Sequence, residues 1–259
     1  DATGFLPLWQ DGQSLLFADL RGKFDDRHNQ EGNWGFGLRS MLSDDLIVGG
    51  YGFYDHRWTQ LGNEFQQMTL GLELKTYIWD FHVNGYLAEG SAQPFGANLG
   101  LNPRAVFANN TLLMVSGGPL SQSLERAYSG LDFEVGARLT AWGDNNRFEL
   151  RSYAGGFFFS ADAVGFANVS GPSTRLELSA FDLPWLGTGS RLTMGAEYSW
   201  DQVRDSQVYG VARVQIPLNF FRPAQQLDPF QRRMLDKVRR DVDIVTNTGF
   251  APEVVENSA

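Results

Sequence analysis

At 259 residues with a formal net charge of −9, the chain is long enough for one large β-domain or two ordinary domains. It is too acidic to offer the concentrated basic face that nucleic acid needs, and no stretch approaches the roughly eighteen apolar residues of a membrane-spanning helix. Any passage through lipid therefore falls to a closed barrel, the other structure that pairs its own backbone.

Glycine and aromatic residues are plentiful (29 Gly, 20 Phe, 8 Tyr and 7 Trp), while cysteine is absent, which suits a chain crossing an oxidising compartment but is also common in the cytosol. Residues 1–9 read as folded chain rather than as a leader. Within them residues 5–9 offer a short strand in which Pro7 removes one ladder donor. From residue 15 to residue 218, runs of about ten residues alternate apolar and polar and are separated by turn residues. Leu16, Ala18 and Leu20 oppose Phe17, Asp19 and Arg21; Trp34, Phe36 and Leu38 oppose Gly35, Gly37 and Arg39. A run over 47–55 is less clear, with apolar and glycine residues on both faces. Next, Met68, Leu70, Leu72 and Leu74 oppose Thr69, Gly71, Glu73 and Lys75, and Phe81 and Val83 oppose Asp80, His82 and Asn84.

The second half alternates more cleanly. Leu131, Phe133, Val135 and Ala137 face away from Asp132, Glu134, Gly136 and Arg138; Phe148 and Leu150 away from Arg147, Glu149 and Arg151. Leu176 and Leu178 oppose Arg175 and Glu177, Leu192, Met194 and Ala196 oppose Arg191, Thr193 and Glu197, and Ala212 and Val214 oppose Arg213. This makes about ten clear strands, eleven with 5–9, and no helix-period pattern before Asp228. The class is all-β, antiparallel.

Alternation alone does not tell an outer-membrane barrel from a soluble one with its apolar face turned inward. Two further features point to the membrane. Connections at 43–45, 76–78 and 143–145 are short and 183–190 is moderate, whereas 24–32, 56–66, 89–127 and 160–171 are longer and more polar, the outer-membrane arrangement of short turns on one rim and loops on the other. The polar face also balances both charge signs and carries Gly35, Gly37, Gly71 and Gly136, as a crowded lumen requires, while Trp34, Trp142 and Trp200 sit near strand ends of the apolar face as an interfacial girdle would. On this reading the pore is lined by Asp19, Arg21, Arg39, Glu73 and Lys75 in the first half. Asp132, Glu134, Arg138, Arg147, Glu149, Arg151, Arg175, Glu177, Arg191, Glu197 and Arg213 line it in the second.

The run of residues 4–22 (GFLPLWQDGQSLLFADLRG) resembles the opening of the inverse autotransporter (intimin/invasin) β-domains. Residues 34–42, 46–55, 70–74, 83–87 (VNGYL), 128–139, 190–197 and 208–218 fit the same family in order, so the resemblance covers most of residues 4–246. It implies a twelve-stranded outer-membrane barrel, inserted by the barrel-assembly machinery, whose C-terminal segment re-enters the pore and leads an adhesin-type passenger to the surface and to a host receptor. Two departures from the family pattern are expected: the family's first strand and any peptidoglycan-binding module are missing ahead of residue 1, and no passenger follows Ala259. The chain is then either an excerpt or a shortened relative.

The expected division is a barrel over 1–221 and a tail over 222–259. Asp228-Pro229 is a good helix start, an N-cap side chain followed by proline at the first helical position. Phe230, Met234 and Val238 then recur every four residues among Arg232, Arg233, Asp236, Lys237, Arg239, Arg240 and Asp241. Mixed charges suit a plug helix inside a charged lumen, which the resemblance favours; a periplasmic helix beyond the last strand is the plainer alternative. Within 89–127, residues 104–108 and 111–115 flank Asn109-Asn110 as a hairpin, either in the loop or entering the wall. Asp25, Asp26, His28, Asp55 and His56 offer carboxylates and imidazoles at one rim for general-base hydrolysis. No Ser/His or metal-ligand spacing accompanies them, so neither enzyme, metal nor cofactor is expected. A stand-alone porin is the stronger rival, though a porin ends at its last strand and here some forty residues follow Leu218.

Overall fold

The computed structural model describes residues 1–25, 28–96, 103–108, 111–116, 123–161, 163, 165–217, 227–241 and 243–250. It opens with β1 (Ala2–Gln10), β2 (Ser14–Phe24), β3 (Gln30–Ser43), β4 (Leu46–Trp58), β5 (Glu64–Thr76) and β6 (Trp79–Glu89). The long connection that follows carries β7 (Gln93–Pro94), β8 (Pro103–Ala108), β9 (Thr111–Ser116) and β10 (Ser123–Ala127). Then come β11 (Ser129–Trp142), β12 (Phe148–Ser160), β13 (Val169–Phe181), β14 (Arg191–Asp201) and β15 (Asp205–Gln215), and last β16 (Thr246–Phe250).

Eleven strands form one antiparallel meander, β1 to β6 and then β11 to β15, with β6 paired to β11 across the long connection. The count falls within the ten to twelve expected and one below the twelve that the resemblance implies. Eleven antiparallel strands leave β1 and β15 running the same way, and among the described residues no ladder joins them. The less clear run became an ordinary wall strand, β4, because Tyr51, Phe53 and Asp55 turn inward and Tyr54 outward.

Period-two alternation fixes the facing of every strand, since a one-residue slip would send each charged face into lipid. Leu72, Val135 and Met194 lie on the exposed face at 64%, 37% and 54% exposure, while Arg39, Glu73 and Lys75 lie on the other at 0%, 4% and 1%. Three β-bulges re-aim the ladder: at Pro7–Trp9, where the missing proline donor falls on the end strand, and at Met41–Ser43 and Arg138–Thr140.

The rims differ less than the sequence suggested. Strands run further than expected, so the β2–β3 and β4–β5 links shrink to residues 25–29 and 59–63. Links 44–45 and 77–78 stand on the opposite rim from 90–122 and 161–168, but 182–190 on the short rim exceeds 202–204 on the long one. The β8–β9 hairpin forms its own two-stranded sheet outside the wall, and its turn residues 109–110 lie outside the described residues. A third sheet, β16-β10-β7, ties the tail to the long connection. No helix of the described chain is long and apolar enough to cross a membrane.

Candidate functional site

The inner face of the sheet is a charged wall whose members pair with one another. Arg21 bonds Asp19 at 2.7 Å; Arg39 pairs with Glu73, which Lys75 approaches to 3.3 Å. Arg151 pairs with Glu149 and, at 3.0 Å, with Asp80, and Arg175 bridges Glu134 and Glu177, the latter at 2.9 Å. Asp132 accepts from Tyr86 at 2.5 Å and Asn84 at 2.7 Å. Arg138 stacks over the Tyr77 ring at 4.0 Å, and Glu197 and Arg213, half-buried, make no ion pair among the described residues. Arg147 departs from its expected place. It follows a 3₁₀ turn, ahead of β12, and donates to the Asp182 carbonyl at the rim, because Asn145 and Asn146 adopt left-handed φ of 54° and 47° and end the alternation there.

The four lumen glycines have a specific use. Gly35, Gly37, Gly71 and Gly136 are the direct cross-strand partners of Phe53, Phe17, Tyr51 and Tyr153. A Cβ added at any of them would stand 2.1–2.3 Å from that ring, so each glycine lets an aromatic side chain lie flat across the neighbouring strand. Arginines then rest on the rings: Arg39 over Phe17 at 4.9 Å, Arg240 over Phe53 at 4.1 Å, and Arg175 and Arg239 over Tyr153 at 4.2 and 5.5 Å.

Through this lumen runs the C-terminal segment. Asp228 caps its start, accepting from the Phe230 and Gln231 N–H groups at 2.7 and 3.0 Å, and Arg232 donates to the Asn145 and Asn146 carbonyls on the short-turn rim. Arg233 pairs with Asp80, and Asp236 takes Arg191 at 2.7 Å and Lys75 at 3.6 Å. Deeper in, the Arg239 carbonyl accepts from Tyr51 (2.8 Å) and Asn84 (3.1 Å) while its guanidinium bonds Glu177 (2.8 Å). A single residue thus touches β4, β6 and β13, which requires the sheet to curl round the segment. Arg240 pairs with Asp55 at 2.7 Å with both side chains at 0% exposure. Lys23 meets Asp243 at 2.6 Å near the long-loop rim, where Arg57 donates to the Ile244 carbonyl. Among the described residues, Lys237 pairs with Asp1, at 3.8 Å.

The expected plug helix is corrected: Phe230, Arg232, Arg233, Met234, Asp236, Lys237, Val238 and Arg240 all occupy this segment, but only Gln231–Leu235 is helical, as a 3₁₀ turn, and Asp236 is already extended at φ −62° and ψ 144°. The wall takes the carbonyls a helix would use. Arg39 donates to those of Met234 and Asp236, both at 2.6 Å, Arg21 to that of Val238, and Tyr51 and Asn84 to that of Arg239. Apolar residues seal the thread. Val238 packs with Leu15, Phe17, Tyr51 and Phe53, Ile244 with Phe65 and Ala127, and Val245 with Tyr86, Tyr128 and Phe159.

Sequence reasoning counted Arg239 among the tail charges without singling it out as a lumen residue, and it missed Asp55 as a lumen anchor and the inward aromatics. The signal was the doublet Arg239-Arg240: in extended chain successive side chains point oppositely, so a doublet spans the lumen to β13 on one side and β4 on the other. The rim hydrolase residues do not converge. Asp55 faces inward to Arg240, whereas His56 lies on the other face, stacked on Trp58 at 4.1 Å, and Asp26 lies outside the described residues.

A cavity remains between the segment and β12–β15, bordered by Ser179, Arg191, Thr193, Arg213 and Lys237.

Residues 1–151 match the model of the family described as "Inverse autotransporter, beta-domain". The fold is similar to a solved structure described as "Unveiling the Mechanism Behind the in-meso Crystallization of Membrane Proteins", with a TM-score of 0.61 at 15% identity over 96% of this chain and 92% of that one. No curated protein matches the sequence.

Proposed function

Since this chain belongs to the inverse autotransporter β-domain family, we propose that it exports a C-terminal passenger of adhesin type through its lumen and anchors it at the surface. The chain is an outer-membrane β-barrel of autotransporter type, and that location is the premise; the passenger, its receptor and insertion by the barrel-assembly machinery belong to the proposal. In this reading the chain has no catalytic chemistry of its own.

The observation that carries the reading is the path of the C-terminal segment. It enters beside Asn145 and Asn146 on the short-turn rim and leaves beside Glu125 on the long-loop rim, held by wall contacts along the way. In outer-membrane barrels the long-loop rim faces outward, so the polypeptide leaves the pore towards the cell exterior. The decisive experiment places an epitope after Ala259 and asks whether antibody reaches it on intact cells. Surface labelling is expected. A tag reached only after the outer membrane is opened would turn the reading into that of a stand-alone barrel with an internal tail.

A further inference from the structure

We infer that β10 is a capture strand for exported polypeptide: an extended segment emerging from the lumen adds to its edge by backbone pairing, which opposes backsliding into the pore. The inference rests on the export reading above and adds a site to it.

β10 has anchors of its own besides the tail. Only Tyr128 separates it from wall strand β11, and β7 pairs with its other edge at Leu124 and Glu125. Glu125, 4% exposed, accepts from Thr59 Oγ1 at 2.8 Å and Asn63 Nδ2 at 2.9 Å, which fixes the strand to the β4–β5 loop. The Phe95 N–H donates to the Ser123 carbonyl at 3.1 Å. A strand held this way loses little further freedom when a partner joins it, so pairing is favoured over that of two free strands.

The partner in the structure is the tail itself. Ser123–Ala127 pair in antiparallel register with Phe250–Thr246, and the Tyr128 N–H continues the contact to the Val245 carbonyl at 2.9 Å. Strand addition of this kind is made by main-chain hydrogen bonds and tolerates many side chains. β16 lies at the sheet edge, where its sequence Thr-Asn-Thr-Gly-Phe offers few large side chains to recognise. Everything that leaves the lumen along the path of the segment passes this edge.

One position marks the resting register. At Gly249 an added Cβ would lie 2.7 Å from the Gly165 carbonyl oxygen and 3.1 Å from the Phe166 ring. Segments bearing a side chain there pair less closely, so movement comes to rest where glycine arrives.

The test uses the chain carrying the C-terminal epitope, with cysteines introduced into its cysteine-free background. Arg126→Cys with Asn247→Cys, which face each other in the ladder, is expected to form a disulfide in intact cells. Thr246→Val with Thr248→Val, which changes side chains and keeps the backbone donors, is expected to preserve both the crosslink and surface labelling. Asn247→Pro with Thr248→Pro removes donors from both edges of β16, since neighbouring N–H groups point opposite ways. Without introduced cysteines, it is expected to lose most surface labelling while the barrel stays heat-modifiable. Arg126→Pro tests the same contact from the β10 side. Labelling unchanged in both proline variants, or a valine pair that loses the crosslink, would overturn the capture strand. Absence of labelling in the tagged parent would instead sink the export reading itself.

Discussion

The two sides of the lumen share one alternating pattern and treat the tail differently. On the β2–β6 side, Arg21, Arg39, Tyr51, Asp55, Asp80 and Asn84 all bond the C-terminal segment, and their side chains are buried. On the β13–β15 side the described contacts are fewer: Glu177 and Arg191 pair with it, and Arg232 meets the Phe181 ring and Asp182 near the rim, while Glu197 and Arg213 stay half-buried, Arg213 beside the cavity. Equal charge patterns therefore become a clamp on one side and a solvated wall on the other. What separates them is where the extended segment leans, drawn by the Phe17, Tyr51 and Phe53 rings that receive Val238 and Arg240.

The largest expected effect comes from removing the segment. Deletion of residues 228–259 leaves the eleven-stranded wall ladder intact, so the protein is expected to remain heat-modifiable while conductance in planar bilayers rises sharply. Equal conductance with and without these residues would favour a porin. A single anchor on the clamp side comes next. Asp55→Asn strips the fully buried Arg240 of its counter-charge, and breaking such a pair costs about 3–5 kcal/mol; tail protection from protease is the readout, and Arg213→Gln on the solvated side should leave it unchanged. If both variants protect equally, the clamp is not one-sided.

Arginine at Leu72, Val135 or Met194 probes the outer face instead and should cost about 2–4 kcal/mol near the bilayer midplane, measured as refolding stability in lipid vesicles. Ser179, which faces the cavity, is the proper inward control. Thr69 also points inward but is 0% exposed and donates to Asp55 at 2.8 Å, so arginine there would be punished for packing rather than facing. The smallest effect belongs to the mouth: Lys23 and Asp243 are 39% and 40% exposed, and Lys23→Ala should change tail protection by about 0–1 kcal/mol. A larger loss would move the seat of the clamp towards the rim.

The wall was legible in the sequence down to facing, with the strand count left between ten and twelve, and the polar-face glycines signalled a crowded interior. Asp228 was legible as a cap too, since its carboxylate acts on the next two or three residues. The end of that helix was not legible, because Leu235 is followed by residues whose carbonyls are claimed from β2, β3, β4 and β6.

Alternation is a local property: each residue takes its face from its neighbours, so the sequence by itself determined an all-β, antiparallel wall with an apolar outside and a charged inside. The path of the tail rests on partners far apart in the chain. Arg240 and Asp55 are 185 residues apart, and Arg239 and Glu177 are 62 apart. Arginine pairs equally well with any carboxylate of suitable geometry, and the polar face offers many. Only the curled sheet, by placing Asp55 and Glu177 on opposite sides of the tail segment, decided which of them the tail would meet.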